Sequence, residues 1–170
     1  MTDSPVLLDV DARGVATATL NRPARGNAYD EELLHALIAG LRRLRDEPSV
    51  RAVVIRGAGK HFQAGADLEW LARAAEYPPE RAFRASLATT TAMQELNEFP
   101  RPTFAVVHGA CFGGGCGLVC CVDVALATPQ AVFGLTEVRV GVAPTPISTH
   151  MVHAMEIGRA SCRERVCLYV

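Results

Sequence analysis

HGACFGGGCGLVCCVDVALATPQAVFGLTEVRVGVAP, residues His108–Pro144, is the stretch on which the reading of this 170-residue chain turns. The apolar run Thr103–His108 gives way to Gly109, and Gly113, Gly114 and Gly115 then open a small-residue apolar segment that continues through Cys121. Three consecutive glycines present no side chain to a ligand, and at a helix start their N–H groups have no intrahelical partner. A flexible surface turn is one reading of such a run. The tight apolar flanks argue instead for a backbone anion site, where N–H groups face a phosphate or a developing oxyanion. Lys-Ser/Thr does not follow the glycines and no acidic residue is placed for a ribose contact, so neither a P-loop nor a dinucleotide fingerprint fits. Oxyanion stabilisation is the sharper option. It needs a second donor from another part of the chain, and an acid or base close by.

Downstream of the glycines, Val122 to Ala127 reads as a strand, and Val132 to Glu137 follows it. Glu137 stands among Leu135, Val138, Val140 and Val142. A carboxylate in apolar surroundings is costly to charge, which moves such an acid toward the range useful for proton transfer. The blander reading is a surface glutamate paired with Arg139 or capping a short turn.

Upstream, Gly57 to Asp67 forms a second glycine- and alanine-rich loop, and Leu68, Trp70 and Leu71 begin a helical segment behind it. Asp67 is placed to cap that helix, leaving the N–H groups around Ala66 open to a ligand; an ordinary strand-to-helix loop with a good cap explains the same residues. Val6–Val10 and Val15–Leu20 read as a hairpin closed at Gly14. Asp30, Glu31 and Glu32 then lead a helix whose Leu33, Leu34, Leu37, Ile38, Leu41 and Leu44 form one apolar stripe. Arg51–Ile55 is the next strand, and the order strand, helix, strand predicts parallel pairing through a right-handed crossover. After the break at Pro78–Pro79, the pattern predicts a helix over Arg81–Glu98 with Phe83, Leu87, Met93 and Leu96 inward. Thr103–His108 is one more strand. Two strand ends, each followed by a small-residue loop and a helix, recur in this α/β chain, and ligands collect at the carboxyl ends of parallel strands, so both loops are expected to face one crevice.

Composition narrows the partners. With 49% hydrophobic residues the chain can build a core, and a formal charge of −1 announces no basic face for nucleic acid. Cys111, Cys116, Cys120 and Cys121 lie in a small-residue apolar segment and read as buried thiols, which implies a reducing, cytoplasmic setting. No Cys-x-x-Cys pair suggests zinc. The first residues lack the basic and apolar regions of a signal peptide, and no run is long enough to span a membrane. The five histidines form no triad or metal arrangement, and Ser148 and Ser161 lack a nucleophile-elbow context.

Taken together, four landmarks in order make the chain resemble the crotonase superfamily, the enoyl-CoA hydratase/isomerase family, from about Val6 to Ile157. They are Asn21–Ala28 (NRPARGNA), His61–Leu68 (HFQAGADL), Gly109–Cys116 (GACFGGGC) and Phe133–Pro144 (FGLTEVRVGVAP). The resemblance implies a spiral core of ββα units, a trimer or dimer of trimers, and an acyl-CoA thioester whose coenzyme belongs to the substrate, with no separate cofactor. It places the backbone N–H groups of Ala66 and Gly114 on the thioester oxygen and makes Glu137 the acid/base. Losing one such oxyanion donor typically costs about 3 kcal/mol of transition-state stabilisation. Ala64, Gly65, Ala66, Asp67 and Leu68, together with Gly113 and Gly114, would hold the substrate and its coenzyme, with Arg22 and Arg25 as candidate phosphate contacts.

One departure stands out. Familiar hydratases carry a further glutamate where this chain has Gly117. Moving a double bond needs only one acid, so isomerisation is a rival to hydration, and an inactive acyl-CoA-binding module is a third reading. Residues 112–119 and 134–148 are similar to the bacterial methylglutaconyl-CoA and isohexenylglutaconyl-CoA hydratases, which share this glycine. That branch implies a branched enoyl-CoA with a distal carboxylate, and the expectation follows that the substrate's own carboxylate helps hold the water. The resemblance stops near Glu156. Residues 157–170, with three arginines and two cysteines in no amphipathic period, read as a non-native tail on a core (1–156) truncated before its C-terminal helical region, which is expected to expose apolar surface and weaken trimer assembly.

Overall fold

The computed structural model describes residues 4–155 and the backbone of Leu168–Tyr169. The rest of the segment read above as a tail lies outside the described residues. The hairpin is β1 (Val6–Val10) and β2 (Val15–Leu20), paired antiparallel with Val6 opposite Leu20. It leads through a 3-10 turn at Pro23–Arg25 to α1 (Glu31–Asp46), whose start is set by Asp30 accepting from the Leu33 N–H at 3.0 Å. All six stripe residues of α1 are buried. Next come β3 (Ala52–Gly57), α2 (Leu68–Ala74), α3 (Pro79–Asn97), β4 (Thr103–Val107), β5 (Ala110–Phe112) and α4 (Gly114–Cys120). β6 (Val124–Ala127), β7 (Val132–Gly134), α5 (Thr145–Met155) and β8 (Leu168–Tyr169) complete the order.

The main sheet runs β1-β2-β3-β4-β6-β8, parallel throughout except for the β1–β2 hairpin. β5 and β7 form a second, two-stranded parallel sheet. Strand, strand, helix is therefore repeated as β1-β2-α1, β4-β5-α4 and β6-β7-α5. The unit beginning at β3 has only a bridge, Gln63 to Cys111, where its second strand would stand. This is the expected spiral of ββα units, wound around a core in which Leu20, Leu37, Ile55, Phe62 and Val107 are fully buried.

One expectation about the core fails. Met93 and Leu96 do face inward on α3, but Phe83 is 67% exposed and Leu87 is 47% exposed. The inward face is instead Ala85, Ala88, Thr89, Ala92, Met93 and Leu96, a regular three- and four-residue spacing made mostly of small side chains. Small residues let α3 lie close to α1, and Glu95 joins the pair by accepting from Arg42 at 2.7 Å and forming an ion pair with Arg45 at 2.8 Å. Phe83 and Leu87 lie on the flank of that face. Their apolar character alone is no guide to which side of the helix is buried.

Candidate active site

β3 ends at Gly57 and β4 at Val107, so the two small-residue loops leave neighbouring parallel strands at the same edge of the sheet. Bonds between the loops hold them together. Phe62 N–H donates to His108 O at 2.8 Å, Gln63 N–H to Ala110 O at 3.1 Å, and Phe112 N–H to Gln63 O at 2.8 Å. Two of the histidines for which the sequence offered no triad or metal arrangement serve here: His61 Nδ1 accepts from Ala110 N–H at 3.1 Å, and His108 Nε2 lies 3.0 Å from Gly59 O. Underneath, the buried Asn27 side chain donates to Ala58 O and His61 O, both at 2.8 Å, and accepts from Arg22 N–H.

Ala66 occupies a particular place in this frame. Tyr29 N–H donates to Gly65 O at 2.9 Å and Asp67 N–H donates to Tyr29 O at 2.8 Å, a one-residue parallel bridge that brackets Ala66. In such a bridge the bracketed residue's own N–H points away from its partner. Gly65 can make the preceding turn because its φ is +92°. Asp67 takes the capping role expected of it, accepting from Glu69 N–H and Trp70 N–H at 3.0 and 3.1 Å, and it also pairs with Arg22 at 3.2 Å. Burial alone would raise the Asp67 carboxyl, but the Trp70 amide, Arg22 and Arg25 outweigh it and hold the group below its ordinary value.

The second loop presents Gly113 and Gly114. Gly113, at φ +50°, starts α4, so the N–H of Gly114 in the first turn has no intrahelical acceptor. Neither glycine has room for a side chain. A Cβ on Gly113 would lie 2.7 Å from Glu137 Oε1 and 3.6 Å from Gly65 Cα, and a Cβ on Gly114 would collide with the Tyr29 ring. Glu137 opens a 3-10 turn, Glu137–Val140, after β7. Of its apolar sequence neighbours, Val138 is 82% exposed and Leu135 is also exposed, while Val140 and Val142 line the same cleft as Glu137. Its carboxylate abuts the Gly113 turn. Among the described residues, Oε2 of Glu137 is buried without a hydrogen-bond partner.

A cleft of about 750 Å³ lies between the loops, α2, α3 and α5, and Ala64, Gly65, Ala66, Leu68, Gly113, Gly114 and Glu137 line it. Asp67 is turned into the frame beside it. Arg25 stands on the outer surface, its guanidinium bonded to both Glu69 oxygens at 2.8 and 3.0 Å. Gly117 is buried, and a Cβ there would lie 2.5 Å from Ile147 Cγ2 and 3.3 Å from Met93 Cε. Its missing side chain is thus not a hole. Sequence reasoning missed Tyr29, Thr89 and Ile147, which also line the cleft; Tyr29 adjoins the motif residue Ala28, and that adjacency was the available signal. The described residues include no cluster suited to a metal ion and no helix long and apolar enough to cross a membrane.

The model of a family described as "Enoyl-CoA hydratase/isomerase" matches residues 11–169, past the point near Glu156 where the resemblance was expected to stop. The chain belongs to the enoyl-CoA hydratase/isomerase family. Among its relatives, the hydroxycinnamoyl-CoA hydratase-lyase of Pseudomonas fluorescens is 34% identical over 134 residues, covering 77% of this chain and 48% of that protein. Among solved structures, Pseudomonas aeruginosa AtuE superposes with a TM-score of 0.86 at 37% identity, over 95% of this chain and 62% of that one. An enoyl-CoA hydratase from Shewanella pealeana superposes with a TM-score of 0.86 at 34% identity, over 89% and 57%. The chain spans about half to three-fifths of the length of these relatives.

Proposed function

We propose that this chain is the core of a hydro-lyase that adds water across the double bond of an enoyl-CoA thioester. The observation that carries the reading is the meeting of Ala66, Gly114 and Glu137 at one cleft. With the thioester oxygen accepting from the Ala66 and Gly114 N–H groups, negative charge developing on that oxygen is stabilised as water adds to the β-carbon. Glu137 takes one proton from the adding water and delivers one to the α-carbon, so one carboxyl group balances the reaction. The coenzyme is part of the substrate and no separate cofactor is required. Residues Ala64 to Leu68 contact its pantetheine or nucleotide portion, and Arg25 reaches a phosphate by exchanging Glu69 for it.

We further infer a branched acyl group with a distal carboxylate, as in methylglutaconyl-CoA. Supporting this are the sequence likeness around Gly117 and Glu137 and the presence of Arg139 on the cleft wall, where its guanidinium can meet a carboxylate. We place the enzyme in the cytoplasm, with the protein assembling as trimers. Isomerisation stays as the second reading because Ile147 fills the space beside Gly117, leaving Glu137 as the acid that the family pattern supplies. Incubating the protein with enoyl-CoA esters, with and without a distal carboxylate, and weighing the products tests both. Gain of one water, fastest with the carboxylate, is the expected result. A product of unchanged mass but shifted double bond supports isomerisation, and thioester binding without turnover of any ester supports an inactive binding module.

A further inference from the structure

Hydration requires the water to be held by more than the acid that protonates the substrate, and Gly117 brings no second carboxyl group to the cleft. The space beside it is closed by Ile147 and Met93. Another polar group lines the same cleft. Tyr29 brackets Ala66 through its backbone, with its N–H on Gly65 O and its carbonyl on Asp67 N–H. Its ring lies against Gly114, with Cδ1 and Cζ at 3.1 and 3.2 Å from where a Cβ would stand, and stacks at a tilt on Trp70 with centroids 5.8 Å apart. One residue therefore touches both loops that present the oxyanion donors, so its hydroxyl is fixed relative to any thioester held there.

We propose that the Tyr29 hydroxyl is the second polar partner of the water that adds to the β-carbon, with Thr89 as the residue that positions it. The proposal rests on the hydratase reading above. Tyr29, Thr89 and Glu137 all line the cleft, and Glu137 and Tyr29 meet the successive glycines Gly113 and Gly114 of one turn. Thr89 is buried on the inward face of α3 and lines the same cleft, and its side chain partly offsets the rise that burial imposes on the phenol. Burial, reinforced by the Glu137 carboxylate, pushes the Tyr29 phenol up to about 12. At neutral pH it therefore keeps its proton and donates to the water oxygen, while Glu137 accepts the water's proton as the C–O bond forms. This arrangement gives the water a protein partner that does not depend on a carboxylate carried by the substrate.

The product retains the water oxygen as a β-hydroxyl, so its contact with Tyr29 is readable by binding. The probes are 3-hydroxybutyryl-CoA and butyryl-CoA, which lack a distal carboxylate and differ only in that hydroxyl. The protein is expected to bind the hydroxy ester about five- to tenfold more tightly, the value of one neutral hydrogen bond. Tyr29→Phe, which keeps the ring contacts and the backbone bridge, should erase the preference while leaving butyryl-CoA affinity unchanged, and should slow hydration by about 100-fold. Thr89→Val should reduce the preference partway. Equal affinities in the unmodified protein, or a preference that survives Tyr29→Phe, would overturn the proposal. If Tyr29→Phe does not fold, a full preference in Thr89→Val has the same consequence. Failure of both esters to bind the unmodified protein would instead sink the hydratase reading itself, and this inference with it.

Discussion

On one wall of the cleft the loop carrying Ala66 is tied down by the buried Asn27 amide, by the Tyr29 bridge and by Asp67, whereas on the facing wall the segment carrying Glu137 follows a three-residue strand and leaves Val132, Phe133, Leu135 and Val138 exposed. The difference matches what the proposed hydration asks of each wall. Oxyanion donors gain their effect by being fixed before charge develops, so their loops need a rigid frame. An acid that passes a proton between water and carbon needs a free carboxylate oxygen, and Glu137 Oε2 has one.

The largest break in this contrast should come where the walls meet. Gly117→Glu, which adds the acid of familiar hydratases, drives a side chain into Ile147 and Met93 and is expected to cost about 3–4 kcal/mol from overpacking and a crowded carboxylate. Adding Ile147→Ala should recover part of that loss in thermal or denaturant unfolding. No loss in the single variant would show that the two helices pack more loosely than described. On the rigid wall, Asn27→Ala removes hydrogen bonds to two loop carbonyls and puts alanine at φ +57°. A loss of about 2–3 kcal/mol is expected in urea unfolding, and a change below 0.5 kcal/mol would remove Asn27 from the frame.

A smaller effect distinguishes the walls by pH. Asp67 is held below its ordinary value of 3.8, so the folded state favours the carboxylate more than the unfolded chain does. Its contribution is complete above about pH 4 and is lost as the pH falls through the lower folded value. Asp67→Asn should cost about 1 kcal/mol at neutral pH and flatten the acid limb of the stability curve; an unchanged limb would contradict the pairing with Arg22. Least affected should be Val138→Ser on the looser wall, within about 0.5 kcal/mol. A larger loss would show that Val138 is covered in the assembled protein.

How much of this was legible in the sequence depends on the range of the interaction. The hairpin, the α1 stripe and the parallel crossover rest on contacts within one unit, and their periodicity announces them. The α3 face was misread because bulky Phe83 and Leu87 outweighed the alanines that pack, and it is close approach to α1 that selects small residues there. The two loops and Glu137 were found from their glycines and from a family pattern. Tyr29 was not, because its place at the cleft depends on a bridge to Ala66 and a contact with Gly114, and neither partner lies near it in the chain. Nor does Gly117 reveal in sequence that Ile147 occupies the space its missing side chain leaves.

The measurement that bears most directly on the central claim is Glu137→Gln, assayed for both thioester binding and water addition. With the oxyanion loops intact and only the ionisable group removed, hydration should fall by about 1000-fold while butyryl-CoA affinity stays within about threefold. Turnover close to that of the unmodified protein would contradict the account, because the proton would then have to come from another group.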